Sequence, residues 1–196
     1  MARLGVSVEG ATEREFVTKV LAPFLSHHGI FASPVDMRGK VSLDRIGNEL
    51  RRLIPAFDHV TTFYDYYGFH KRPEGGVEAV ERSILELVEP EQRRLLTPYI
   101  QLYEFEALVL AAPDEAEHTL GVAGLANQLM EIVTTSGGAE NVNDGYETCP
   151  SRRIKNLATA YDKKLHGPVI LEKSLDAVRN QCPRFNGWVS SLLELA

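Results

Sequence analysis

VEGATEREF, residues 8–16, places three carboxylates, Glu9, Glu13 and Glu15, around one junction between a β-rich run and a helical one. Acid recurs at comparable points further on: Asp65 inside FYDYY, and Glu104 and Glu106 in YEFEAL. Loops that follow strands in α/β proteins often cradle phosphate with glycine, lysine and helix N-terminal amides. Here carboxylates stand in that position. Several carboxylates gathered in one place repel one another unless cations lie between them. Hard oxygen donors of this kind suit Mg²⁺ or Mn²⁺ and not zinc.

Each acid also has a plainer role open to it. Thr12 to Glu15 reads T-x-x-E, a capping box with Thr12 as N-cap and Glu15 at the third helical position. Glu13 either complements the positive helix N-terminus or binds a ligand. Glu9 follows the apolar run LGVSV and precedes Gly10, which puts it at a strand tip where a carboxylate wants a cation or a set of donors. Asp65 is placed in the same way. Glu104 and Glu106 share a face on a strand and diverge on a helix, so one of the two is expected to be ordinary.

The elements that must position these residues alternate. RLGVSVEG (3–10) is a strand ending in Gly, and the helix after it carries Phe16, Val17, Val20, Leu21, Phe24 and Leu25 on one stripe, with Pro23 set to kink it. ASPVDM (32–37) is a weak strand, and SLDRIGNELRRLIP (42–55) a helix between Ser42 and Pro55. HVTTFYDYYG (59–68) is a strand, and VEAVERSILELV (77–88) an amphipathic helix. TPYIQLYEFEALVLA (97–111) starts as a strand and turns helical near Tyr103. Strands alternating with helices predict an α/β fold with a mainly parallel sheet of about four strands flanked by helices. In such sheets ligands sit outside the carboxyl ends of the strands, where Glu9, Asp65 and Glu104–Glu106 fall. The remainder is helical: 113–138, 151–161, 167–180 and 184–195, with a polar loop at 140–150. The expected organisation is an α/β core over 1–111 and a helical extension over 112–196 packed on it as a single compact domain.

Bulk properties narrow the classes. The chain has 196 residues and is 44% hydrophobic and 24% charged, an ordinary globular composition long enough to bury a core without disulfides. Net charge is −6, which argues against a broad basic surface for nucleic acid while leaving room for a local one. Cys149 and Cys182 lack the spacing of a zinc site and fit a reducing compartment. No leader-like segment and no apolar run near the roughly 20 residues of a membrane span is present, so the expected location is cytoplasmic.

VEGATE, FYDYYG and PYIQLYEFEAL resemble the motifs of the Toprim-like bacterial family catalogued as domain of unknown function 4276, and NDG (143–145), CPSRRI (149–154), YDKKLHG (161–167) and RNQCPRFNGW (179–188) resemble its C-terminal pattern. The resemblance implies a Toprim-like Rossmannoid core and a relationship to the Toprim domain of OLD-type (overcoming lysogenization defect) nucleases. In those, strand-tip acids bind divalent metals and a late lysine assists phosphodiester cleavage. On that likeness Glu9 and Glu13 match the opening pair, with Glu9 also catalytic, and Asp65 the first acid of the central motif. Tyr67 stands where Toprim domains often carry a second Asp, so that ligand falls to Glu104 or Glu106. The late lysine is Lys163 or Lys164, with Lys163 favoured because it directly follows Tyr161-Asp162.

The implied activity is a nuclease or related phosphodiesterase dependent on Mg²⁺ or Mn²⁺, with a role in phage defence, acting on nucleic acid. Arg152, Arg153 and Lys155 are candidate phosphate contacts, or else a solvated helix face. His166 is a loop histidine or a base, and Trp188 belongs with Phe185 and Leu192 to a core. The alternative is a non-catalytic Toprim-fold regulatory or binding subunit. OLD proteins join an ATPase to the Toprim domain, whereas this chain has no GxxxxGK[ST], so by analogy alone the resemblance leaves room for a separate ATPase partner.

Overall fold

The computed structural model describes residues 1–142 and 145–196; Asn143 and Asp144 of the NDG motif lie outside the described residues. Two compact units divide the chain, Met1–Gln101 with Leu192–Ala196, and Leu102–Ser191.

The first unit is an α/β unit. Its strands β1 (Ala2–Val8), β2 (Ile30–Asp36), β3 (His59–Asp65), β4 (Leu96–Thr97) and β5 (Ile100–Gln101) form one sheet in the order β2-β1-β3-β4, with β5 also paired to β3. Every pairing is parallel. β3 is buried along its whole length and β1 from Leu4 onward, as expected of central strands covered on both faces. The Tyr64 hydroxyl ties the two together by donating to Ser7 Oγ at 2.6 Å, and burial pushes the Tyr64 phenol well above its ordinary range.

One predicted strand is broken in two. Pro98 has no N–H to give the ladder, and it separates β4 from β5. Thr62 of β3 spans the gap: its Oγ1 accepts from Tyr99 N at 2.8 Å and donates to Tyr99 O at 2.9 Å. Thr61 Oγ1 likewise donates to Thr97 O at 2.6 Å. Helix onset after this strand comes at Glu106, not near Tyr103.

The helices carry similar local signatures. α1 (Ala11–Phe16) passes through a π turn, Val17–Leu21, into α2 (Ala22–Ser26). The kink expected at Pro23 takes this form because the proline cannot donate to the Lys19 carbonyl, and Ala22 N–H reaches back five residues to Val17 O. Ser42 stands at the N-cap of α3 (Leu43–Leu53), which buries Ile46, Leu50 and Leu53. α1 and α2 pack on β2, and α4 (Gly76–Leu85) on α3 and β5.

The second unit is helical. Its hub is α5 (Glu106–Leu110), short and buried at every residue, which packs on α6 (Pro113–Leu120), α7 (Leu125–Thr135), α8 (Pro150–Leu157) and α9 (His166–Gln181). The helix expected over 113–138 is two helices, parted by Gly121 at φ 65° and Gly124 at φ 80°, a left-handed backbone that favours glycine. α9 is interrupted at Ser174 (φ −127°, ψ 16°). α10 (Pro183–Leu193) starts on a buried acid: the Glu140 carboxylate accepts from Arg184 N at 2.9 Å and Phe185 N at 3.0 Å. Phe185 and Trp188 are buried with ring centroids 5.7 Å apart, so Trp188 is a core residue. Cys149 and Cys182 are buried free thiols, and burial, with Glu140 beside it, pushes the Cys182 thiol up. Among the described residues no helix is long and apolar enough to cross a membrane.

His59, at the start of β3, gives the sheet an acid sensitivity. Its Nε2 lies 2.8 Å from Thr97 Oγ1, and burial lowers its proton affinity below the ordinary value of 6.5. The unfolded chain therefore binds this proton more readily than the native one. The stability tied to the neutral ring is fully present above pH 6.5 and is lost as pH falls through that value toward the lowered native one. Urea midpoints are expected to fall across this window in the wild type and to fall less in His59→Gln; parallel profiles would show that His59 does not carry the effect.

Candidate functional site

Three strands of the first unit end on acids. Asp65 is the last residue of β3, and Glu9 follows the last residue of β1, whose Val8 lies level with Phe63 of β3. Glu9 and Asp65 thus stand at the same edge of two neighbouring parallel strands, the carboxyl-end edge. Asp36, level with Val8, ends β2 at that edge too. The sequence reading passed over it because β2 is weakly patterned, although its position matches that of Asp65. Asp36 accepts from Arg38 N at 2.7 Å and has Arg14 at 4.0 Å.

Backbone closes against Glu9. A Cβ added at Gly68 would fall 2.8 and 2.9 Å from the two Glu9 carboxylate oxygens, so a side chain there would displace the Glu9 carboxylate from this position. Gly68 closes the FYDYYG motif, which gives that glycine a physical reason. Asp65, two residues before Tyr67, is buried.

The helix cap lies two residues earlier than T-x-x-E predicts. Gly10 is the N-cap residue of α1, in extended conformation at φ −163°, and Glu13 occupies the third helical position. Glu13 Oε2 accepts from Gly10 N at 3.1 Å. Gly10 has no side chain to return that bond, so only the glutamate half of a capping box is formed, and the helix starts at Ala11, ahead of Thr12. Glu15 is not a cap; it pairs with Lys19 at 3.2 Å and Arg14 at 3.5 Å on the surface.

The other predicted residues belong to the second unit. Glu104, Glu106, Ser151, Arg152, Lys155, Asn156, Tyr161, Asp162, Lys163 and Lys164 line one pocket of about 600 Å³. The two glutamates have different employment. Glu104 Oε2 accepts from Ser151 N at 3.0 Å, in the first turn of α8. Glu106 opens α5 with 2% of its surface exposed. Phe105 between them is fully buried, and α9 begins close enough to its ring that a Cβ on Gly167 would fall 2.6 Å from Phe105 Cε1.

α8 presents its cations selectively. Ser151 and Lys155, like Arg152 and Asn156, are four residues apart and share the pocket face. Arg153 is absent from that lining, and its Nε donates to Thr148 O at 2.6 Å. The lysine-bearing turn is fastened by Asp162, whose Oδ1 accepts from Lys164 N at 2.9 Å and Leu165 N at 3.1 Å. These two amides hold the Asp162 carboxyl below its ordinary range. Asp162 N in turn donates to His166 Nδ1 at 2.9 Å, so His166 serves its own turn. Ser151 and Asn156 line the pocket without being chosen from sequence, and helical spacing from Arg152 and Lys155 is the signal that would find them; both candidates for the late lysine, Lys163 and Lys164, line it.

Among the described residues no group of three or more His, Cys, Asp or Glu side chains is arranged to hold a metal ion. Of the five acids expected as ligands, Glu13 and Glu104 each accept from a backbone amide, Glu104 and Glu106 both line the second-unit pocket, and Glu9 and Asp65 stand at strand ends.

Residues 8–193 match the model of a family described as Domain of unknown function (DUF4276). No curated protein matches the chain. Among solved structures, the C-terminal region of the Burkholderia pseudomallei OLD protein is similar, with a TM-score of 0.54 and 16% identity over 100% of this chain and 96% of that one. At that identity the likeness is one of fold.

The contact of Glu104 with α8 has a measurable consequence. Glu104→Ala is expected to destabilise the protein by about 1–2 kcal/mol, the worth of a charged acceptor on a helix N-terminal amide, and Glu104→Gln, which keeps an acceptor, by less. Denaturant unfolding checks this, and equal stability of all three proteins would contradict it.

Proposed function

The chain belongs to the DUF4276 family, and from that premise we propose that it is a divalent-metal-dependent phosphodiesterase, a nuclease of Toprim type. One observation carries the reading: the second-unit pocket sets buried Glu106 among Arg152, Lys155, Lys163 and Lys164 in a chain whose net charge is −6. Cations concentrated in one cavity of an acidic protein are the chemistry of a phosphate-bearing ligand.

In the first unit Glu9 and Asp65 are the residues that would hold Mg²⁺ or Mn²⁺. Their donors are all hard oxygens, they end adjacent strands, and the bare Cα of Gly68 leaves the Glu9 carboxylate its place. Bound there, such a cation supplies charge neutralisation at phosphorus and an acidified water. In the second unit Arg152 and Lys155 are the candidate phosphate contacts, and Lys163, on a turn fixed by Asp162, is the late lysine that the resemblance to OLD-type nucleases makes catalytic. Glu13 keeps its cap, and Arg153 remains tied to Thr148 outside the phosphate contacts.

A second reading has its own support. A non-catalytic binding or regulatory subunit, working beside a separate ATPase, accords with the absence of a three-ligand metal cluster among the described residues and with the amide contacts of Glu13 and Glu104.

Calorimetric titration with Mn²⁺, paired with plasmid nicking on the same samples, separates them. Wild type and Glu15→Gln are expected to bind and nick. Glu9→Gln is expected to do neither, and Lys163→Ala to bind Mn²⁺ while its nicking falls by about 100-fold or more. Wild type that neither binds nor nicks would transfer the assignment to the regulatory reading, and Glu9→Gln that binds like wild type would remove Glu9 from the metal.

A further inference from the structure

Tyr146 is among the most exposed large side chains of the protein, with 66% of its surface accessible. It is nonetheless held in place: the Arg152 guanidinium lies over its ring, 4.1 Å from the centroid. Arg152 also lines the second-unit pocket with Lys155, Lys163 and Lys164. A planar aromatic ring, covered by a cation on one side and accessible elsewhere, thus borders a cavity rich in cations.

We propose that this corner binds an unpaired nucleotide of a single-stranded nucleic acid, with its base stacked on Tyr146 and its backbone phosphates against the pocket cations. The inference rests on reading the pocket as a phosphodiester site and adds the form of the substrate. Stacking on a protein ring requires a base that has left its own duplex stack, so the ligand is a single strand or a frayed end. The charge pattern fits a polyanion with a base attached. Four cations of the pocket face three carboxylates, Glu104, Glu106 and Asp162, and two of these are engaged by backbone amides, Glu104 by Ser151 and Asp162 by Lys164 and Leu165. Arg152 adds a second function by polarising the Tyr146 ring from the face it covers. Its other neighbour is Glu147 at 3.9 Å, a weak and exposed pairing that leaves the stack as its closer contact.

The test uses the full-length chain without added metal, so that cleavage does not intervene. Fluorescence anisotropy is measured with a labelled thymidine oligonucleotide and with an abasic strand of the same length, and plasmid nicking is assayed in parallel with Mn²⁺. Wild type is expected to prefer the base-bearing strand by about tenfold, the scale of one base stacked on an aromatic residue. Tyr146→Leu is expected to bind both strands at the abasic level, and Tyr146→Phe to retain the preference. Equal binding of both strands by wild type, or an undiminished preference in Tyr146→Leu, overturns the stacking inference, and persistent nicking beside it leaves the phosphodiester reading intact. Absence of binding to either strand together with absence of nicking overturns both. Because Tyr146 is exposed, the variants test recognition and not folding.

Discussion

A carboxylate taken out of water must be answered by donors or by cations, and in this chain the amides left over at helix N-termini supply many of the answers. Glu13 meets Gly10 N ahead of α1, Glu104 meets Ser151 N in α8, Glu140 meets Arg184 N and Phe185 N in α10, and Glu117 meets Ala126 N in the first turn of α7. Each contact satisfies an orphan donor and places negative charge where the helix dipole favours it. Two of them join segments more than forty residues apart, 104 to 151 and 140 to 184, so the caps also fix which helix lies beside which within the second unit.

That use of acid explains what could and could not be read from sequence. The parallel sheet was legible because strands and helices alternate at regular spacing and the turns carry glycine. The break at Pro98 is visible as a proline, but its repair by Thr62 depends on a strand almost forty residues earlier. The start of α1 was misplaced because G-x-x-E and T-x-x-E overlap, and only backbone conformation chooses between them. That Glu104 meets the first turn of α8 depends on where that helix lies, which local spacing does not contain. Asp36 went unnoticed because β2 is patterned as an exposed strand while its end aligns with Val8.

The same charge logic bears on the basic residues. Arg153, next after Ser151 and Arg152 on α8, stands off the pocket lining and donates to the Thr148 carbonyl. Lys163 and Lys164 both reach the pocket from a turn closed on Asp162. The four cations gathered in one cavity of a protein with net charge −6 make that cavity the place where the proposed polyanion would bind. Such binding would be released as salt rises, because bound phosphates displace counterions.

Glu9 and Glu13 are four residues apart and look equivalent in VEGATE, yet their surroundings make different demands on them. A helix cap requires an acceptor, and a carboxamide accepts the Gly10 amide as a carboxylate does; charge adds only the dipole contribution of a few tenths to about 1 kcal/mol. Glu9 sits after a strand, its carboxylate beside the bare Cα of Gly68, at an edge that Asp65 and Asp36 also reach. Repulsion along such an edge is relieved by cations, as Arg14, 4.0 Å from Asp36, illustrates, and the proposed metal is therefore to be tested at Glu9 and not at Glu13, whose carboxylate a helix cap already employs.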